Sequence, residues 1–220
     1  MKNTIILFFI FISSLSYGQN DYMLAERYYR DGAYEKAIQI FKVLYTKNPY
    51  NTTYLKRLVS SYQETSQFET VEKLLKQRLI TYPKHSYLNV ELGYNYEKQQ
   101  QKETAKIYYD KAINSIKTNN GMGGFIGRLF NDNALLDYAI LAYQETMRYN
   151  PNANYQFQIA QIYGEKGAFE KMFTSYIDLI DKNEDYLNTV QRFTSRYITD
   201  DPVNNNNILF KKALIKKSVS

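Results

Sequence analysis

GQNDYMLAERYYRDGAYEKAIQIFKVLYTKNPYN, residues 18–51, carries the pattern on which the rest of the sequence is built. Small residues (Ala25, Ala37), aromatics (Tyr28, Phe41) and aliphatics (Leu24, Leu44) fall at helical spacing on either side of Gly32, and Pro49 follows. A small residue lets two helices approach closely, and an aromatic fills the space beside that contact. Gly32 offers the positive φ at which many helices end. Proline cannot continue a helix.

The pattern recurs. The numbers of Pro49, Pro83 and Pro151 differ by 34 and then by 68, and only Pro202 lies off this lattice. Gly32-Ala33-Tyr34-Glu35-Lys36 is echoed by Gly167-Ala168-Phe169-Glu170-Lys171 at an offset of 135, one short of four periods. A one-residue deletion between the fourth and fifth copies accounts for this. The second copy supplies Leu55, Leu58, Tyr62 and Leu75, with Val59 and Val71 where small residues are expected, which predicts looser packing. The third supplies Leu92, Gly93, Tyr96, Ala105 and Tyr109, and the fourth Ile126, Gly127, Phe130, Ala139 and Tyr143. The fifth has Ile159, Ala160, Tyr163 and Tyr176, with Met172 in place of the alanine.

In these residues the chain resembles the tetratricopeptide repeat family, whose unit of about 34 residues forms two antiparallel helices. The resemblance covers about residues 20–186, although the family's tryptophan is absent from every copy. It implies an all-α protein, a right-handed α-solenoid of about five such helix-turn-helix repeats over 18–51, 52–85, 86–119, 120–152 and 153–186. C-terminal helices follow over 187–220, as a cap or as the start of a further repeat. One hairpin cannot bury its apolar face alone, whereas stacked hairpins can. Tyr28, Tyr62, Tyr96, Tyr143, Tyr163 and Tyr176 are therefore read as packing residues, not as a cofactor box or a base-stacking platform.

In that family the first helix of each hairpin lines a concave groove. The resemblance places Tyr22, Glu26, Tyr29, Lys56, Gln63, Tyr87, Tyr94, Glu97, Arg128, Asn131, Phe157 and Gln161 there, with Glu64 and Lys98 in the wider set. Aromatic and charged side chains in such a mixture suit a protein or peptide partner. The family's clamp for chaperone-tail carboxylates is not matched. Tyr22, Glu26, Arg57, Tyr87 and Glu91 stand at its positions, so that partner is not implied.

Composition narrows the chemistry. No cysteine among 220 residues excludes thiol nucleophiles, disulfides, thiolate zinc sites and acylated lipoproteins. The single histidine, His85, falls in a predicted turn, and no convergent carboxylate pair is evident. No catalytic, cofactor-binding or metal-binding residues are predicted. Gly121-Met122-Gly123-Gly124-Phe125-Ile126-Gly127 lacks the third glycine of a dinucleotide fingerprint and follows a helical pattern. It predicts an irregular junction near 119–125 instead.

Lys2, the apolar run Ile5–Ile12 and the small residues Ser16 and Gly18 form the layout of a secretory signal peptide over 1–18. An uncleaved anchor and a buried N-terminal helix are the alternatives. Cleavage would leave no transmembrane segment, and the expected destination is a bacterial periplasm. Asn51-Thr52-Thr53, a formal glycosylation sequon, is read as chance. At the other end, Tyr186–Ile198 is roughly one helical face, Asp200-Asp201-Pro202 a break, and Asn204–Asn207 a loop or weak first turn. Ile208–Val219 is expected to cover the last repeat with its apolar side while its lysines face water. A role at a membrane, in an oligomer or at a further repeat remains open.

The sequence thus predicts a non-enzymatic interaction scaffold of the cell envelope. The alternatives are an N-terminal part or accessory repeat domain of a larger envelope protein or enzyme, and a nucleic-acid-binding helical repeat. Positive charge and aromatics suggest the last, while the signal peptide and the interspersed rather than segregated charge argue against it.

Overall fold

A computed structural model describes residues 20–219. The expected signal peptide, 1–18, lies outside the described residues. Among the described residues, twelve α-helices and two short 3₁₀ turns, at Asn120–Met122 and Glu184–Tyr186, make up the regular structure, and there is no strand. Helix α1 spans 20–30. It is followed by α2 (Tyr34–Lys47), α3 (Thr52–Glu64), α4 (Phe68–Thr81), α5 (Leu88–Glu97), α6 (Lys102–Ser115), α7 (Gly123–Asp132), α8 (Leu136–Tyr149), α9 (Gln156–Glu165), α10 (Phe169–Lys182), α11 (Leu187–Thr194) and α12 (Asn205–Ser218). The first ten helices form five hairpins. Their second helices begin at Tyr34, Phe68, Lys102, Leu136 and Phe169, so the step along the chain is 34 three times and then 33.

Every hairpin turn is built the same way. Gly32, Ser66, Gln100, Ala134 and Gly167 take φ of 74°, 58°, 62°, 57° and 70°. The residue after each donates its backbone N–H back into the ending helix: Ala33 to Tyr28, Gln67 to Tyr62, Gln101 to Tyr96, Leu135 to Phe130 and Ala168 to Tyr163, at 2.8–3.0 Å. This Schellman closure satisfies carbonyls that the helix would leave bare. Glycine is at home in the left-handed region, but Ser66, Gln100 and Ala134 hold it at a cost.

The two interlocking rows of the pattern are buried. Ala37, Val71, Ala105, Ala139 and Met172 form one row, and Phe41, Leu75, Tyr109, Tyr143 and Tyr176 the other. Val59 and Val71 are as buried as the alanines, and the second hairpin is the looser one expected, since α3 and α4 approach each other less closely than α7 and α8 or α9 and α10 do. The bulk of Met172 is offset across the hairpin by Gly164. A Cβ added there would stand 2.7 Å from the Met172 sulfur.

The chain divides into two compact units, residues up to Tyr82 with Tyr94–Ala105, and Pro83–Gly93 with Lys106 onward. In the first, Tyr22 meets Phe41 and Tyr54, with ring centroids 6.2 and 5.7 Å apart. Asn51 caps α3 by accepting from the N–H groups of Thr53 and Tyr54, so the sequon residue has a structural role. Asn95 is fully buried. It donates to the Phe68 carbonyl at 3.0 Å and accepts from the Gln63 amide at 3.4 Å.

In the second unit, the irregular junction is shorter than predicted. Residues 120–122 form the 3₁₀ turn and helix begins at Gly123. The glycines are there for proximity. A Cβ on Gly123 would meet Thr146, one on Gly124 the Tyr155 hydroxyl, and one on Gly127 the Tyr143 ring at 2.6 Å. At the C-terminal end, α11 and α12 pack on α10 around Phe173, Tyr176, Val190 and Ala213. Lys211, Lys212 and Lys216 are exposed as expected, and two of the four lysines also reach the acids of α10. Lys212 pairs with Glu170 at 3.0 Å, and Lys217 with Asp178 and Asp181 at 3.1 and 2.9 Å. The asparagine run is also more ordered than a weak first turn. Asn204 caps α12, and Asn207 donates to the carbonyls of Thr199 and Asp201, both at 2.7 Å.

Candidate functional site

In the first unit, α1 and α3 bring together a cluster of charge and aromatic surface. The Arg57 Nε lies 2.5 Å from the Glu26 carboxylate, and its guanidinium sits 4.8 Å from the centre of the Tyr29 ring. The Tyr22 phenol stands beside both Glu26 and Arg57. Burial, reinforced by Glu26, pushes the Tyr22 phenol above its ordinary value. Burial works against the Arg57 charge, yet Glu26 and Tyr22 outweigh it and hold the guanidinium above its usual value.

A second pair lies along the same set of first helices. Lys98 donates to Glu64 at 2.9 Å, and its ammonium is 5.7 Å from the Tyr94 ring centre. Desolvation pulls the Lys98 ammonium down, but Glu64 and neighbouring phenols more than restore it. Opposite charges held by one another against aromatic faces are pre-organised, so a partner meets them with less ordering still to do.

The residues of the predicted groove divide. Tyr22, Glu26, Tyr29 and Tyr94 are half-buried and gather as described, with Glu97 half-buried and Lys56 exposed. Gln63 is a correction. It is 5% exposed and its amide is engaged by Asn95, so it belongs to the packing between helices. In the second unit, Tyr87 is likewise corrected. It is 6% exposed and packs edge-on against Phe125, 4.8 Å between ring centres. Arg128 is exposed over the Phe125 ring at 5.0 Å, and Asn131 and Gln161 are half-buried. Phe157 contacts Tyr176 and Phe193 at 5.6 and 5.0 Å, so much of its surface serves the C-terminal core.

Arg57 is the residue that sequence reasoning misses, because the family pattern relates it only to a clamp that it does not match. The available signal is charge complementarity between successive first helices. Glu26 stands nearly one period before Arg57, and Glu64 a full period before Lys98. Among the described residues, no group of three His, Asp or Glu side chains could hold a metal ion. No described helix is long and apolar enough to cross a membrane.

No family model matches the chain, and no curated protein matches it. Among solved structures it is similar to a thermophilic TPR protein of Thermus thermophilus, at 16% identity over 81% of this chain and 97% of that one, with a TM-score of 0.42. The neighbours are tetratricopeptide repeat proteins. They include the C-terminal part of a TPR repeat-containing protein from Cytophaga hutchinsonii, at 18% identity, 90% and 79% coverage and a TM-score of 0.38. The TPR2AB domain of yeast Sti1 in its complex with pHSP90 is another, at 15% identity, 90% and 99% coverage and a TM-score of 0.40. At these values the likeness concerns fold alone, and the repeat register is read from this chain's own helices and turns.

Proposed function

We propose that the protein is a non-enzymatic interaction scaffold of the bacterial cell envelope, which holds an extended peptide or a partner helix on the first-helix face of its N-terminal unit. The observation that carries this reading is the half-exposed cluster of Tyr22, Glu26, Tyr29 and Arg57 with the Glu64–Lys98–Tyr94 set. Tyrosine and arginine are the side chains that most often anchor protein interfaces, and both are here fixed in place before a partner arrives. The signal-peptide layout of residues 1–18 supports the envelope as the setting.

Chemical cross-linking in intact envelopes, followed by mass spectrometry, tests the proposal. One or more protein partners should be recovered reproducibly with the native chain. The double variant Tyr29→Ala, Arg57→Ala should lose them while keeping its helical circular dichroism. Recovery of no reproducible partner under several growth conditions refutes the scaffold reading. Undiminished recovery with the double variant refutes the placement of the surface.

A further inference from the structure

The strongest unassigned feature is a buried arginine in the N-terminal unit. Arg78 lies in the last turn of α4, in the register position that the other hairpins fill with Leu44, Ala112, Thr146 and Leu179, all buried. A guanidinium therefore occupies a slot built for a small or apolar side chain. It is 4% exposed. Its Nη1 donates to the Tyr45 hydroxyl at 2.8 Å, and its centre lies 5.6 Å from the Tyr45 ring and 5.0 Å from the Tyr82 ring. Nε and Nη2 are buried with no hydrogen-bond partner among the described residues.

Aromatic faces compensate a cation only in part. Burying an ionised group without an opposite charge is among the most expensive arrangements in a fold. Arginine retains its charge throughout the pH range proteins meet, so neutralisation is no escape. The identity of the two idle donors says what is missing. Nε–H and Nη2–H project in parallel from one edge of the guanidinium, the edge that meets two oxygens of a carboxylate or phosphate at once. Tyr45 occupies the other end and leaves that fork whole.

The aromatic frame reaches solvent on one side. Tyr82, half-buried at the C-terminal cap of α4, meets the Tyr50 ring edge-on, 5.8 Å between ring centres. Tyr50 is 72% exposed on the turn after Pro49. Tyr82 is thus a half-exposed neighbour of the guanidinium, and Tyr50 an exposed neighbour of Tyr82.

We propose that Arg78, framed by Tyr45 and Tyr82, is a receiving site for an oxyanion, a carboxylate or a phosphate, bound bidentately through Nε and Nη2. This site stands independently of the first-helix surface, and the two can fail separately.

The test follows the Arg78 side-chain N–H signals by NMR in the full chain, assigned by their loss in Arg78→Lys. Sodium acetate and sodium phosphate are titrated separately at constant ionic strength. The Arg78 Nε–H signal should shift saturably with at least one anion. Saturation by acetate alone assigns the site to carboxylates, by phosphate alone to phosphates, and by both to either. Thermal unfolding gives a second readout, since an anion bound only by the folded state raises the midpoint with concentration. Arg78→Lys should weaken that dependence about tenfold through loss of the fork. Arg78→Leu, the residue found in two sister hairpins, should abolish it while keeping helical content. A folded native chain with no saturable shift for either anion overturns the proposal. So does an Arg78→Leu variant that keeps the anion-dependent rise.

Discussion

Replacing Ser66, Gln100 and Ala134 together by glycine should stabilise the protein. All three occupy the left-handed region at φ 57–62°, in the position that Gly32 and Gly167 hold in the outer hairpins. An L-residue there brings Cβ against the following carbonyl, at about 1–2 kcal/mol per site. Glycine relieves this but widens the unfolded ensemble, which returns about 0.4–1 kcal/mol. The net gain is about 0.5–1 kcal/mol per turn. None of the three side chains is buried, so little packing is lost. The turns lie in separate hairpins, so the gains should nearly add, to about 2 kcal/mol. For a chain of this length that is a rise in the unfolding midpoint of about 4–8 °C. Equilibrium urea unfolding and thermal melting, both by far-ultraviolet circular dichroism, are the assays. Calorimetry should accompany them, because repeat arrays can unfold in stages. The reciprocal variants Gly32→Ala and Gly167→Ala should lose about 1 kcal/mol each, although a Cβ at either position meets nothing within 4 Å. A triple glycine variant no more stable than the native chain refutes the reasoning, as do reciprocal variants that are neutral.

Gly127→Ala should cost about 1–2 kcal/mol in urea unfolding, because its methyl group meets the Tyr143 ring and overpacking outweighs the better helix propensity of alanine. In a Tyr143→Leu background the same change should be neutral or stabilising, and an unchanged cost there would show the contact to be irrelevant. Burial pushes the Tyr176 phenol up to about 12 from an ordinary 10.0. The folded state therefore holds that proton where the unfolded chain has released it, and stability should be full below pH 10 and fall between pH 10 and 12. Tyr176→Phe should flatten that fall, as followed by urea midpoints across the alkaline range. Raising salt from about 0.1 M to about 1 M contracts the Debye length to about 3 Å and should loosen α12, whose lysines reach the acids of α10. Amide hydrogen exchange in 205–218 should accelerate selectively, and uniform acceleration along the chain would contradict this.

The hairpins were legible because their contacts are local and periodic. Ala37 and Phe41, or Ala139 and Tyr143, announce a close helix crossing wherever they recur, and the prolines fix the phase. The shared turn geometry was only half legible. Gly32 and Gly167 signal a positive φ, but Ser66, Gln100 and Ala134 do not, since closure of the hairpin imposes that conformation on whatever residue is present. The candidate surface was legible as a set of helix positions but not in its details. Gln63 and Tyr87 share the register of exposed residues and are buried by neighbours far along the chain. Arg57 and Arg78 take their character from partners in the preceding repeat, Glu26 and Tyr45, and no pattern within one repeat shows such pairings.

The tight seats of Gly123, Gly124 and Gly127 bear on how this chain could have evolved. Gly123 answers to Thr146, Gly124 to Tyr155 and Gly127 to Tyr143, and each glycine is matched to one bulky group beyond its own helix. Through Gly124 the fourth hairpin is keyed to the copy that follows it. The fits of Gly123 and Gly127 lie inside the fourth hairpin and would travel with it, whereas Gly124 is matched to Tyr155 of the fifth, so exchanging that neighbour would change what faces its bare backbone. The array repeats in sequence, yet its members have become individual parts with a fixed order, and length changes should be tolerated better at other joints than at this one.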